Sequence, residues 1–286
     1  LVRTIKLPRA HNDGRPAGGL SAAAYQPKRD RPWAFSAAPS AHLVPWGGLA
    51  KMLQDKQESL KPGRRVLLRG SDGVRLSNGF DGEGLVIEGS QAWISSEGRR
   101  TPERQAKIIR IDLASGRQQE ELPLPLDWRA RPGKGLGSNQ GPESLTMLGP
   151  GDLILATEKP LLQNGPNGGI SLARRRPGEE LRSAGTLDPG IGGRYEGLTE
   201  LQGLPQSQQL LGLRRGYKPL NHWTAQLQLF AIPDPQSPPL KPIIGWDLLG
   251  LGLPADNWEA MTVGPQLSDG RQTLVLGSDD NFNPWQ

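Results

Sequence analysis

Glutamates recur in this chain at the openings of short apolar runs, and a second charged residue recurs where the next run ends. Glu83 precedes the run 84–87, and Glu97 closes the run 92–96. Glu143 and Glu158, Glu196 and Arg214, and Glu259 and Asp279 stand in the same relation. In an antiparallel hairpin the first residue of one strand lies beside the last residue of its partner. Each pair is therefore expected to meet, and radial packing of the hairpins would gather the pairs on one face. Like charges held together cost free energy unless a cation offsets them.

Clustered carboxylates are the ligand type of hard cations. Calcium takes six to eight oxygen ligands. Glu97, Glu158, Asp279 and Asp280 are candidate metal ligands, and Glu83, Glu143, Glu196 and Glu259 are candidate catalytic carboxylates. The run Asp279-Asp280-Asn281 is either a ligand cluster or an Asx-type turn. Lys159, Arg214, Arg215 and Lys218 follow the ends of the second runs and are candidates for holding an anionic substrate group. The structural alternative is that each Glu accepts backbone N–H bonds from a neighbouring hairpin and sets strand register. Other chemistries show no signature, although sequence order alone does not exclude a Ser-His-Asp enzyme. The chain has no cysteine, and His11, His42 and His222 share no zinc-ligand spacing. No Gly-x-Ser-x-Gly elbow and no phosphate-binding glycine loop occur.

The elements that must position these residues are hairpins. Units open near Gly19, Glu83, Glu143, Glu196 and Glu259, roughly 53 to 64 residues apart, each with an opening strand, its partner and two outer strands. The first unit has Gly19 in place of the acid, and the last has no outer strands. Four-stranded sheets repeated radially form an all-β propeller. Five repeats are visible, with room for a sixth blade in irregular segments. A β-sandwich is the rival architecture. The run 2–7 alternates apolar and basic residues and is expected to be a strand that closes the last blade of a single domain spanning 1–286. A helix is expected within 51–60, a strand over 64–69, and a loop across one face over 127–141.

Composition agrees with many tight turns: 38 Gly and 27 Pro are scattered between the apolar runs. A net charge of +5 without a basic stripe or stacking aromatics argues against nucleic-acid binding and for a small anionic partner. No apolar run is long enough to span a membrane. The chain opens at Leu1, as expected of a mature or trimmed form, and a monomer is expected.

The ordered set Asp81-Gly82-Glu83-Gly84-Leu85, Trp93-Ile94-Ser95-Ser96-Glu97, Asn139-Gln140-Gly141-Pro142-Glu143-Ser144-Leu145, Ala156-Thr157-Glu158-Lys159-Pro160-Leu161 and Ser278-Asp279-Asp280-Asn281-Phe282 resembles the phytase-like β-propeller family, also described as the esterase-like activity of phytase. The resemblance covers roughly residues 18–283. It implies a propeller and phosphoester hydrolysis, with calcium as the cation and export to the periplasm or outside the cell. In that light Lys159, Arg214, Arg215 and Lys218 are the phosphate-holding candidates. A metal-assisted lactonase or carboxylester hydrolase, and a non-catalytic binding propeller, are the alternatives.

Overall fold

The computed structural model describes residues 2–7, 14, 18–37, 40–55, 59–76, 80–101, 104–190, 192, 195–220 and 222–280. Among them, five antiparallel sheets follow one another along the chain. The first holds β1 (Leu20–Gln26), β2 (Arg31–Ser36), β3 (His42–Gly47), β4 (Lys61–Pro62) and β5 (Val66–Leu67), with β4 and β5 both pairing β3. The second runs β6 (Gly82–Glu88), β7 (Gln91–Ser96), β8 (Lys107–Asp112) and β9 (Gln118–Leu122). The third runs β10 (Pro142–Gly149), β11 (Asp152–Thr157), β12 (Ile170–Arg175) and β13 (Arg182–Leu187). The fourth runs β14 (Glu196–Leu204), β15 (Gln209–Lys218), β16 (His222–Ala231) and β17 (Ile244–Asp247). The fifth has two strands, β18 (Trp258–Gln266) and β19 (Gln272–Ser278).

The opening strands β1, β6, β10, β14 and β18 each pack against the next, and β18 packs against β1. The ring is therefore closed, with the opening strands innermost: a β-propeller. The strands alternate, but both faces are apolar, because each sheet is covered on both sides. On β7, Ala92 and Ile94 face the first sheet while Trp93 faces the third. On β11, Leu153 and Leu155 face the second sheet while Ile154 and Ala156 face the fourth. Leu210 and Leu213 on β15 divide the same way. The core thus consists of apolar layers between neighbouring blades.

Three expectations differ from the structure. Residues 2–7 carry no strand. Arg3 donates to the Met52 carbonyl at 2.8 Å, and Leu7 packs against Ala34, Val44 and Trp46, so this segment lies on the first blade. Its alternation reflects an extended chain with one apolar side on a neighbour, which needs no strand partner. The helix α1 covers Leu49–Gln54, starting earlier and ending sooner than the run 51–60. Of the expected strand 64–69, only β5 forms a ladder. No sixth sheet occurs among the described residues. His11, Asn281 and Phe282 lie outside them.

Candidate functional site

Each opening strand carries a register shift at the same place. Pairing steps over one residue in every sheet: Ser21 in β1, Glu83 in β6, Glu143 in β10, Thr199 in β14 and Glu259 in β18. A bulge leaves its extra residue outside the ladder and re-aims its side chain. The bulged residues are the true equivalents around the ring. Ser21 Oγ donates to the Gly82 carbonyl at 2.7 Å, and Thr199 Oγ1 donates to the Trp258 carbonyl at 3.2 Å, so both hydroxyls tie their blade to the next. The remaining three positions hold glutamates.

The register corrects one assignment. Glu196 pairs with Gly216 and stands three residues ahead of the bulge, so Thr199 occupies the ring position in the fourth blade. The residues that follow the second strands at the matching level are Glu97, Glu158, Arg215 and Asp279, and Arg215 takes the place expected for Arg214.

Three of the four expected pairs meet inside one electrostatic cluster. Glu83 feels Glu97, Glu259, Asp81 and Asp279, and Glu143 feels Glu83, Glu158, Glu97 and Glu259. Burial is the main cause that pushes both carboxyls well above the usual range, with the neighbouring charges adding to it. Glu97 is pushed up to about 8, first by burial and then by Asp81 and Glu158, while Arg99 and the Gly141 N–H pull it down. Glu259 is raised to about 7 by burial, against the opposing Arg215 charge. It forms an ion pair with Arg215 and accepts from Asn257 Nδ2 at 2.9 Å. Carboxylate oxygens of Asp81, Glu83 and Glu97 all lie within 4.8 Å of one another. Two oxygens bound to one calcium at about 2.4 Å stand at most about 4.8 Å apart, so the triad fits a hard cation. Glu143 adds a second sign: it is only 8% exposed, and its Oε2 has no hydrogen-bond partner. Asp81 is the member of this triad that the sequence reading passed over, although it begins the word Asp81-Gly82-Glu83.

A family described as "Phytase-like: Esterase-like activity of phytase" matches residues 15–282. The chain belongs to that family. No curated protein matches it. Among solved structures, the Bacteroides ovatus xyloglucan-locus protein GH43B superposes with a TM-score of 0.51 at 12% identity, over 95% of this chain and 49% of that one. The chain thus spans about half the length of that protein, and at this identity the likeness concerns the fold alone. A duf4221 family member from Bacteroides vulgatus matches at a TM-score of 0.49 and 10% identity, over 96% of this chain and 82% of the other. The Cps50 (Swd1) propeller domain of Myceliophteria thermophila matches at 0.39 and 10% identity, over 91% and 97%.

In this phytase-like ring the remaining candidates divide into those at the mouth and those elsewhere. Lys159 is half-buried, pairs with Glu158 at 3.8 Å and donates to the Glu196 carbonyl. Burial lowers its pKa, and Arg215 lowers it further. Arg214 is 1% exposed. Its guanidinium donates to Gln228 Oε1 at 2.7 Å, to the Pro189 carbonyl at 2.7 Å and to the Asp188 carbonyl, and it stands 3.6 Å from Glu196. Arg214 and Glu196 therefore form a buried knot that locks the connection entering the fourth blade. Lys218 is exposed at the last position of β15, and among the described residues no ion pair joins it to the carboxylates. Asp280 accepts from the Gly19 N–H at 2.8 Å, which places it on the seam between the last and first blades. Asp280 thus accepts a backbone N–H from a neighbouring blade, as the structural alternative describes, and Glu97 does the same from Gly141.

A loop over residues 125–141 covers part of this face, as expected. Trp128 is fully buried and anchors it, and Leu136 N–H donates to the Trp128 carbonyl at 3.0 Å. Arg100, held at φ 61, sends its guanidinium to the carbonyls of Arg131, Lys134 and Leu136. Beneath the loop is a cavity of about 300 Å³ that reaches Glu97 and is lined by Arg100, Arg129 and Arg131. Sequence reading passed over these arginines because no repeat marks them. The only signal was their density in a loop next to Glu97.

Proposed function

We propose that this protein is a metal-dependent hydrolase acting at the propeller mouth on a small phosphorylated substrate, with calcium as the cation. The carrying observation is the triad Asp81, Glu83 and Glu97, with oxygens within 4.8 Å, of which Glu97 also lines a cavity with Arg100, Arg129 and Arg131. Asp81, Glu83 and Glu97 would hold the cation, with the unpartnered Glu143 Oε2 beside them. A bound divalent ion supplies charge stabilisation to phosphate oxygens and acidifies a water. The chain's own groups do the rest. Glu259, at about 7, is poised to exchange a proton near neutral pH. Arg215 and Asn257 hold it in one orientation. Arg129 and Arg131 stand where a second anionic group of the substrate would lie, and their forked donors suit phosphate. The loop over residues 125–141 keeps bulk water from that side. Export to the periplasm or beyond belongs to the same proposal, as does action as a monomer without nucleic acid; no helix among the described residues is long and apolar enough to cross a membrane.

The test is a calcium titration of chelated protein, followed by calorimetry and thermal midpoint, with p-nitrophenyl phosphate turnover measured alongside. Saturable binding with metal-dependent turnover, both lost in Glu83→Gln with the fold intact, is expected. Binding without turnover would make the mouth a ligand-binding site. Turnover of p-nitrophenyl acetate in preference to the phosphate would move the reading to carboxylester hydrolysis.

A further inference from the structure

A second cavity, of about 470 Å³, lies between the first and second blades. Strand register puts much of its lining at the strand ends away from the acidic mouth, while Val66 and Leu67 pair with Leu43 and His42 along β3. Arg31 begins β2 and pairs with Gln26, at the far end of the sheet from Ser36. Gly47 ends β3, and the lining residues Leu113–Ser115 follow Asp112, which pairs with Gln91 at the far end of β7. The cavity is lined by Arg31, Lys61, Arg64, Arg65 and Arg69, and no aspartate or glutamate is among its lining residues. The cavity wall also contains Trp46, which is 3% exposed and whose Nε1–H has no acceptor.

Cations gathered around one concavity repel one another, and low-dielectric walls focus their field on whatever enters. An anion relieves that repulsion and accepts from the forked guanidinium donors. The volume is that of a small-molecule site. Trp33 and Trp46 are packed into the blade, so ring stacking contributes little and charge dominates. We propose that this cavity binds a compact small molecule carrying several tetrahedral oxyanions, phosphate or sulfate, at a site separate from the mouth and independent of the mouth's chemistry.

The test is calorimetric titration of the full chain, stripped of metal on a chelating resin, with tripolyphosphate and with sucrose octasulfate. Saturable binding of at least one probe, weakening as salt rises, is expected, and which probe binds identifies phosphate or sulfate. Lys61→Gln with Arg64→Gln, both exposed and so compatible with folding, is expected to weaken binding by roughly tenfold or more. Trp46→Phe is expected to weaken it by a smaller factor. Arg176→Gln with Arg182→Gln removes the same charge from an exposed part of the third blade and is expected to leave the affinity within about twofold. Equal weakening by the two double variants would mean a diffuse field and would overturn the proposal. So would the absence of saturable binding, or loss of binding in Glu83→Gln with retention in Lys61→Gln/Arg64→Gln.

Discussion

At the scale of single residues, the buried mouth carboxylates destabilise the metal-free molecule as they ionise. Glu97 at about 8 and Glu259 at about 7 bind protons in the folded state that they release near pH 4.3 when unfolded. Between those values the native state holds more protons than the unfolded one, so stability falls as pH rises. The metal-free protein should therefore show a thermal midpoint that declines from about pH 5 to about pH 8, in the window set by these groups. A hard cation replaces the protons, so calcium should restore the midpoint most strongly at the alkaline end, with protons released on binding. A midpoint that is flat across this window would contradict the clustering of the carboxylates. Glu143→Gln sharpens the point. Its carboxyl is held well above the usual range, so glutamine resembles the protonated form already present. The variant is expected to keep or raise metal-free stability, by up to about 2 kcal/mol in denaturant unfolding, while weakening calcium binding.

At the scale of elements, the repeat was legible in the sequence and its exact register was not. The words Asp81-Gly82-Glu83 and Gly141-Pro142-Glu143 disclosed the opening strands because acid and apolar run are adjacent there. In the fourth blade the ring position is Thr199, and a hydroxyl gives no contrast in a run where Glu196 and Glu200 flank it. The nearest Glu drew the alignment three residues early and carried Arg214 with it. A one-residue bulge cannot be seen in periodicity, since it resets the alternation locally. Glu200 shows the same blind spot: it is 1% exposed, its carboxylate accepts from the N–H groups of Leu201 and Leu145, and burial raises its pKa well above the usual range. The glycines opening the inner strands have a reason that only the packed blades reveal. A Cβ on Gly141 would run into the backbone of Glu97, and one on Gly197 would meet the Glu158 carboxylate. Gly141→Ala should cost about 1–3 kcal/mol in denaturant unfolding, because backbone must shift. Gly197→Ala should cost less, since the obstacle is the end of a flexible side chain. Arg214→Met tests the knot: removing one member of a buried ion pair is expected to cost about 3–5 kcal/mol. If Arg214→Met instead left stability unchanged and abolished turnover, the residue would belong to the substrate site after all.

At the scale of the whole molecule, closure of the ring is the decisive property, because the mouth exists only where all the opening strands converge. Four of the blade interfaces carry buried apolar layers. The interface between the last and first blades carries polar ties: Gly19 N–H to Asp280 at 2.8 Å, and Tyr25 N–H to Thr262 Oγ1 at 3.1 Å. Apolar layers stabilise in proportion to buried area, whereas a hydrogen bond contributes about 0.5–1.5 kcal/mol net. Opening should therefore start at this seam, and the fifth blade, with two strands, has the least sheet to resist it. Hydrogen exchange should show β1, β18 and β19 exchanging faster than β7, β11 and β15, whose layers are apolar on both sides. Asp280→Ala should speed exchange in β1 and β19 by roughly fivefold or more while leaving β11 unchanged. Calcium should slow exchange at the seam as well as at the triad, because Glu83 feels both Glu259 and Asp279 of the last blade across the mouth. Uniform protection around the ring, with no response at the seam to Asp280→Ala or calcium, would mean that the first and last blades are joined as firmly as the others and that the mouth does not depend on this closure.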